Sequence, residues 1–235
     1  MEITSYLSEC IKTQTPVAFL KYGDDEYLAA VGTSGCNCDK DNYTEILKDG
    51  LIKSFTYMID NGPNTFVGMR DDDGSHIEFW NKFVEKPVQV AKYHSVILYN
   101  DQINEKIHLL KTIKESSLKK MYICNPIMNR AEILLNIDYM FHIPFNNWVD
   151  KEFDIILDAI KSIINPEEQH IILTSAGMGS KLLISELTKL FPKNIYIDIG
   201  SGLDKICTKK TSRGWEPSYE ELMNLLSDII PSGWE

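Results

Sequence analysis

Short apolar runs of strand length alternate with amphipathic helical stretches along almost the whole chain, and this alternation limits the fold more than any other feature. A strand that feeds a crossover helix returns parallel to itself, so the pattern calls for an α/β fold: a Rossmann-like, mostly parallel sheet with flanking helices. No low-complexity linker and no internal repeat interrupts it, and 235 residues suit one α/β domain over 1–235.

Residues 2–12 have the spacing of a short amphipathic helix, and Pro16-Val17-Ala18-Phe19-Leu20 that of a buried strand. A second helix is expected between Asp41 and Ile59, stopped by Asn61-Gly62-Pro63, and a strand at Thr65–Met69. Trp80 and Phe83 anchor the helix after that. Strands are then expected at Ser95–Tyr99, Lys120–Cys124 and Tyr139–Pro144, with a polar helix from Gln102 to Ser116 between the first two. A turn at 146–150 opens the helix of Phe153, Ile156, Leu157, Ile160 and Ile164, and the last strands run from His170 and over Asn194–Gly200.

Chemistry concentrates where strands end. At Lys21-Tyr22-Gly23-Asp24-Asp25-Glu26 an apolar run stops at a glycine and three carboxylates follow. Adjacent acids repel one another and lose solvation when buried, so such a motif after a core strand calls for a cation. In an extended or turn conformation Asp24 and Glu26 point the same way and reach one divalent metal, while Asp25 faces elsewhere. The same triplet also suits a solvated turn opening a helix, where carboxylates meet the positive end of the dipole. Asp71-Asp72-Asp73-Gly74 is a rival metal candidate, although the Gly that follows favours a plain surface turn.

Three further strand ends carry small polar residues. Asn125-Pro126 closes one strand, with Arg130 close behind as a phosphate partner or a helix cap. At Ala176-Gly177-Met178-Gly179-Ser180 a buried strand turns into a helix through a small-residue loop, where backbone N–H groups can meet a diphosphate. This is neither a Walker A loop nor a full dinucleotide fingerprint, and a tight turn without a ligand explains it as well. The last strand delivers Asp198 and Gly200-Ser201-Gly202 to the same edge. His142 is a candidate base, although a lone histidine on an apolar strand is more often a neutral packed residue.

Composition excludes several classes. With 43% hydrophobic and 25% charged residues the chain is neither disordered nor membrane-spanning, and no apolar run nears the roughly 20 residues a bilayer needs. A net charge of −10 argues against general nucleic-acid binding, leaving only a local basic patch at Lys205, Lys209, Lys210 and Arg213. Five cysteines do not make a disulfide framework, and Cys36-Asn37-Cys38 with Asp39 lacks the second ligand pair of a zinc site. The N-terminus lacks the regions of a secretory signal, so a cytoplasmic location is expected.

Taken together, the strand-end motifs resemble those of the GT-D fold glycosyltransferases. Lys21-Tyr22-Gly23-Asp24-Asp25-Glu26 looks like that family's D-x-E motif. Phe141-His142-Ile143-Pro144-Phe145-Asn146-Asn147, the loop around Gly177 and Tyr196-Ile197-Asp198-Ile199-Gly200-Ser201 follow in the family's order. The chain departs in having Lys21-Tyr22 where the family often has Arg-Phe, and Asp25 where it often has Gly. The resemblance implies a metal-assisted transferase that moves a sugar from a nucleotide-diphosphate donor, a UDP-sugar foremost, to a hydroxyl of a glycan or glycoconjugate. It implies Asp24 and Glu26 as ligands of Mn²⁺ or Mg²⁺. It also implies a donor site at Lys21, Tyr22, Gly23, Asn125, Gly177, Met178, Gly179 and Ser180, and Asp198 or His142 as the base. Two other readings stand beside it. One is a methyltransferase holding S-adenosylmethionine at Gly177-x-Gly179, a glycine turn that lies late in the chain for that cofactor. The other is a non-catalytic module that binds nucleotide sugars.

Overall fold

A computed structural model describes residues 2–37, 40–70, 74–99, 101–144, 146–210 and 216–234. The rival acidic loop at 71–73, Cys38, Asp39, Phe145 and Arg213 lie outside the described residues. In chain order the elements are α1 (Ile3–Thr13), β1 (Val17–Lys21), α2 (Asp24–Ala30), α3 (Glu45–Asp60), β2 (Asn64–Met69), α4 (Ser75–Trp80) and β3 (Gln89–Lys92). They continue with α5 (Ile103–Glu115), β4 (Lys119–Cys124), α6 (Arg130–Leu135), β5 (Tyr139–His142), α7 (Trp148–Ile163) and β6 (His170–Ser175). The last are α8 (Gly179–Leu190), β7 (Ile195–Asp198), α9 (Asp204–Thr208) and α10 (Tyr219–Leu225).

Seven strands form one parallel sheet in the order β3-β2-β1-β7-β6-β4-β5. The central strands are apolar on both faces, as a sheet covered on both sides requires. Alternate side chains divide between two cores. Val17, Phe19, Tyr122, Leu173 and Ile197 pack with α1, α5, α6, α9 and α10. Ala18, Leu20, Met121, Ile172 and Tyr196 pack with α3, α7 and α8. The chain leaves β4 for α6 on one face and leaves β6 for α8 on the other, although β4 and β6 are neighbours. Two adjacent strands whose continuations part in this way open a crevice at their carboxyl ends, where open α/β sheets bind ligands.

One expected strand is absent. Residues 95–99 are apolar but form turns, with the Ser95 and Ile97 amides donating to the Lys92 and His94 carbonyls. Val96, Ile97 and Leu98 are buried all the same, so burial rather than pairing accounts for their composition. The edge beside β2 is taken by Gln89–Lys92, which lies mostly exposed and so lacks the apolar pattern that would mark a strand. The expected strand at 139–144 ends at His142, and two short C-terminal helices, α9 and α10, follow β7. No helix among the described residues is long and apolar enough to cross a membrane.

Candidate functional site

A cleft opens over the carboxyl ends of β1, β4, β6 and β7. At its floor lies a buried ion cluster. The Lys181 ammonium sits 2.6 Å from Glu26 Oε1 and 2.9 Å from Asp198 Oδ2, with all three side chains almost fully buried. It also donates to the Gly177 carbonyl at 3.3 Å. The remaining carboxylate positions are taken as well. The Gly23 N–H donates to Glu26 Oε2 at 2.8 Å, the Lys21 N–H to Asp198 Oδ2 at 3.2 Å, and the Gly200 N–H to Asp198 Oδ1 at 3.2 Å. Burial works against the charge of Lys181, but the carboxylates of Asp198 and Glu26 outweigh it and hold the ammonium above its ordinary pKa.

The turn before α8 explains how Lys181 comes to face inward. Gly177 adopts φ +58°, which favours glycine. The Ser180 hydroxyl accepts from the Ala176 N–H at 3.1 Å, and the Trp148 indole N–H donates to the Ala176 carbonyl at 3.3 Å. Gly179 packs so closely on Trp148 that a Cβ there would lie 2.2 Å from the ring. Gly179 and Ser180 therefore build the turn, whereas Gly177 and Met178 line the cleft. Asn125 lines it too, its side chain accepting from the Ile127 N–H at 3.2 Å.

The acidic triplet is dispersed because α2 starts at Asp24 and winds the side chains apart. Asp24 points to the surface, where it meets Arg70 at 2.6 Å. Asp25 lines the cleft and accepts from the Tyr43 hydroxyl at 2.9 Å, and its burial raises its pKa. Glu26 enters the ion cluster. Asp24 and Glu26 are thus not brought together, as the extended reading of the motif required. Glu26 is already neutralised by Lys181, and among the described residues no group of three His, Cys, Asp or Glu side chains gathers as a metal site. Among the described residues, this arrangement offers the expected Mn²⁺ or Mg²⁺ no ready ligand set.

Other expected residues fall on both sides of the division. Lys21 lines the cleft, its ammonium 4.4 Å from the centre of the Tyr93 ring. Gly23 allows that ring its place, since a Cβ there would come within 2.7 Å of it. Tyr22 turns away into the core, bonding Ser54 at 3.0 Å and packing edge-on against Phe55 and Trp80. His142 is exposed at the end of the edge strand and does not line the cleft, so strand-end position alone did not bring it there. Arg130 lies over the Trp234 ring and Lys209 over Tyr219. Sequence reasoning missed Lys181, Tyr93 and the cleft-facing role of Asp25. A signal for Lys181 was present: it falls in helical phase with Ile184, Ser185 and Thr188, all buried.

No protein-family model and no curated protein matches this sequence. Two solved structures resemble it at 16% identity, each alignment covering 97% of this chain and 88% of the other. One is a selenomethionine-substituted structure of domain of unknown function 1792, with a TM-score of 0.60. The other, with a TM-score of 0.58, is described as the highly conserved domain of unknown function 1792 having a distinct glycosyltransferase fold. The fold is glycosyltransferase-like. At this identity the likeness concerns architecture, and the chemistry must be read from the cleft itself.

Proposed function

We propose that this chain is a glycosyltransferase that moves a sugar from a nucleotide-diphosphate donor, of the UDP-sugar class, to a hydroxyl of a glycan or glycoconjugate. The observation that carries the proposal is the cleft of a glycosyltransferase-like fold, lined together by Lys21, Lys181, Asn125 and the Gly177-Met178 turn. Breaking the anomeric C–O bond leaves a diphosphate with new negative charge. Fixed cations and backbone dipoles in a partly dry cleft stabilise that charge without reorganising. Lys21 supplies the cation, the charge of Lys181 being offset by Glu26 and Asp198, and Ile127, Ile143 and Pro144 add an apolar wall.

The acceptor hydroxyl must also lose a proton. Asp198 faces the cleft but is committed to Lys181, and His142 stands outside it. Asp25, in the cleft with only a tyrosine hydroxyl on it among the described residues, takes the proton in this scheme. Isothermal titration with UDP-sugars and S-adenosylmethionine, followed by a turnover assay on acceptor glycans, tests the proposal. Binding of UDP-sugars with release of UDP is expected. Binding of S-adenosylmethionine alone rejects the transferase, and UDP-sugar binding without turnover on any acceptor leaves a recognition module.

A further inference from the structure

We infer that the resident cation of this cleft is the Lys181 ammonium and that the diphosphate site works without a divalent metal. The inference rests on the transferase reading only for the identity of the ligand. The cleft's two deeply buried carboxylates are Glu26 and Asp198, and one nitrogen already bridges them at 2.6 and 2.9 Å. All three ammonium protons have acceptors, the third being the Gly177 carbonyl. The carboxylate oxygens not held by the ammonium are held by the Gly23 and Gly200 amides. A metal between the two carboxylates would have to displace the lysine and compete with backbone N–H groups for their remaining oxygens.

The lysine also has nowhere to go. Its side chain is 5% exposed, and it springs from the first turn of α8, which Ser180 ties to Ala176 and Gly179 seats against Trp148. Expelling the ammonium would leave two buried carboxylates uncompensated, which is strongly destabilising. Of the motif's other two acids, Asp24 faces Arg70 on the outer surface and Asp25 accepts from the Tyr43 hydroxyl. Lysine and metal answer the same structural need, a cation between two buried carboxylates, and here the chain provides it from its own helix.

The test measures UDP and pyrophosphate binding to the parent protein by calorimetry, in EDTA and in Mn²⁺. It also follows thermal midpoints of the parent and of Lys181→Ser with and without Mn²⁺. Affinities that agree within about threefold support the inference, and a larger gain with Mn²⁺ overturns it. Lys181→Ser leaves two facing carboxylates with space between them, and Mn²⁺ should raise its midpoint by about 3 °C or more while leaving the parent unmoved. That rise should vanish in Glu26→Gln/Lys181→Ser. If Lys181→Ser does not fold, Lys181→Gln leaves the same two carboxylates and replaces it. If neither UDP nor pyrophosphate binds under any condition, the transferase reading fails. The Mn²⁺ response of the unliganded parent then decides: a rise that depends on Glu26 overturns the inference, and none supports it.

Discussion

Replacing Lys181 by methionine keeps the length of the side chain and removes its charge. In the variant, Glu26 and Asp198 face each other across the site of the lost ammonium, both almost fully buried and within a few ångströms of each other. Breaking a buried pair by deleting one partner costs about 3–5 kcal/mol, since the charge left behind is neither solvated nor compensated. For a domain of this size that is a fall of about 6–20 °C in midpoint. The control is Arg70→Met, which breaks the Asp24 pair at the partly exposed surface and should cost about 1 kcal/mol or less. The two facing carboxylates can then share a proton, so their folded-state pKa rises above the unfolded value. The folded variant therefore binds more protons than the unfolded chain, and acidification from pH 8 towards pH 5 should return part of the lost stability. Urea and thermal melts across that pH range measure both effects. A Lys181→Met loss no greater than that of Arg70→Met, or one indifferent to pH, would refute the reasoning.

Gly177→Val forces a β-branched residue into φ +58° at the cleft and should lower UDP affinity by about tenfold or more by titration calorimetry. Asp198→Asn loosens Lys181 and the Lys21 and Gly200 amides together, so midpoint and UDP affinity should fall in concert; a drop in kcat alone would make Asp198 the base after all. Burial depresses the pKa of His170 below its ordinary 6.5, so the unfolded chain takes up more protons there and stability is lost as pH falls below 6.5. His170→Gln should flatten that slope in thermal melts, and an unchanged slope would assign the loss to other groups.

Most of the sheet was legible because its central strands are buried on both faces and read as unbroken apolar runs. The exceptions have definite causes. The Gln89–Lys92 strand sits on an edge and is mostly exposed, so it carries no such run, while 95–99 carries one for burial in a turn. The position of the cleft was legible too, at the ends of β1, β4, β6 and β7. Its internal geometry was not, because Asp24-Asp25-Glu26 takes different directions in a helix than in a turn. The role of Lys181 depends on a contact across 155 residues of sequence to Glu26, which no local pattern encodes.

The dispersal of the acidic triplet also assigns a consequence to one departure from the GT-D pattern. Side chains on a helix turn by about 100° per residue, which sends Asp24 to Arg70, Asp25 to the cleft and Glu26 to Lys181. Where that family often has Gly, Asp25 adds a carboxylate beside the proposed reaction centre, and Tyr43 from the segment before α3 orients it. If Asp25 accepts the acceptor's proton, Asp25→Asn should lower kcat by about 100-fold or more while UDP binding and the thermal midpoint stay near those of the parent. Tyr43→Phe should lower kcat less, because it removes the orienting hydroxyl and keeps the carboxylate. If Asp25→Asn instead weakens donor binding at unchanged kcat, the carboxylate recognises the donor and takes no part in proton transfer. The separation of kcat from affinity distinguishes these roles, because Asp25 lies outside the ion pairs that Lys181 makes with Glu26 and Asp198.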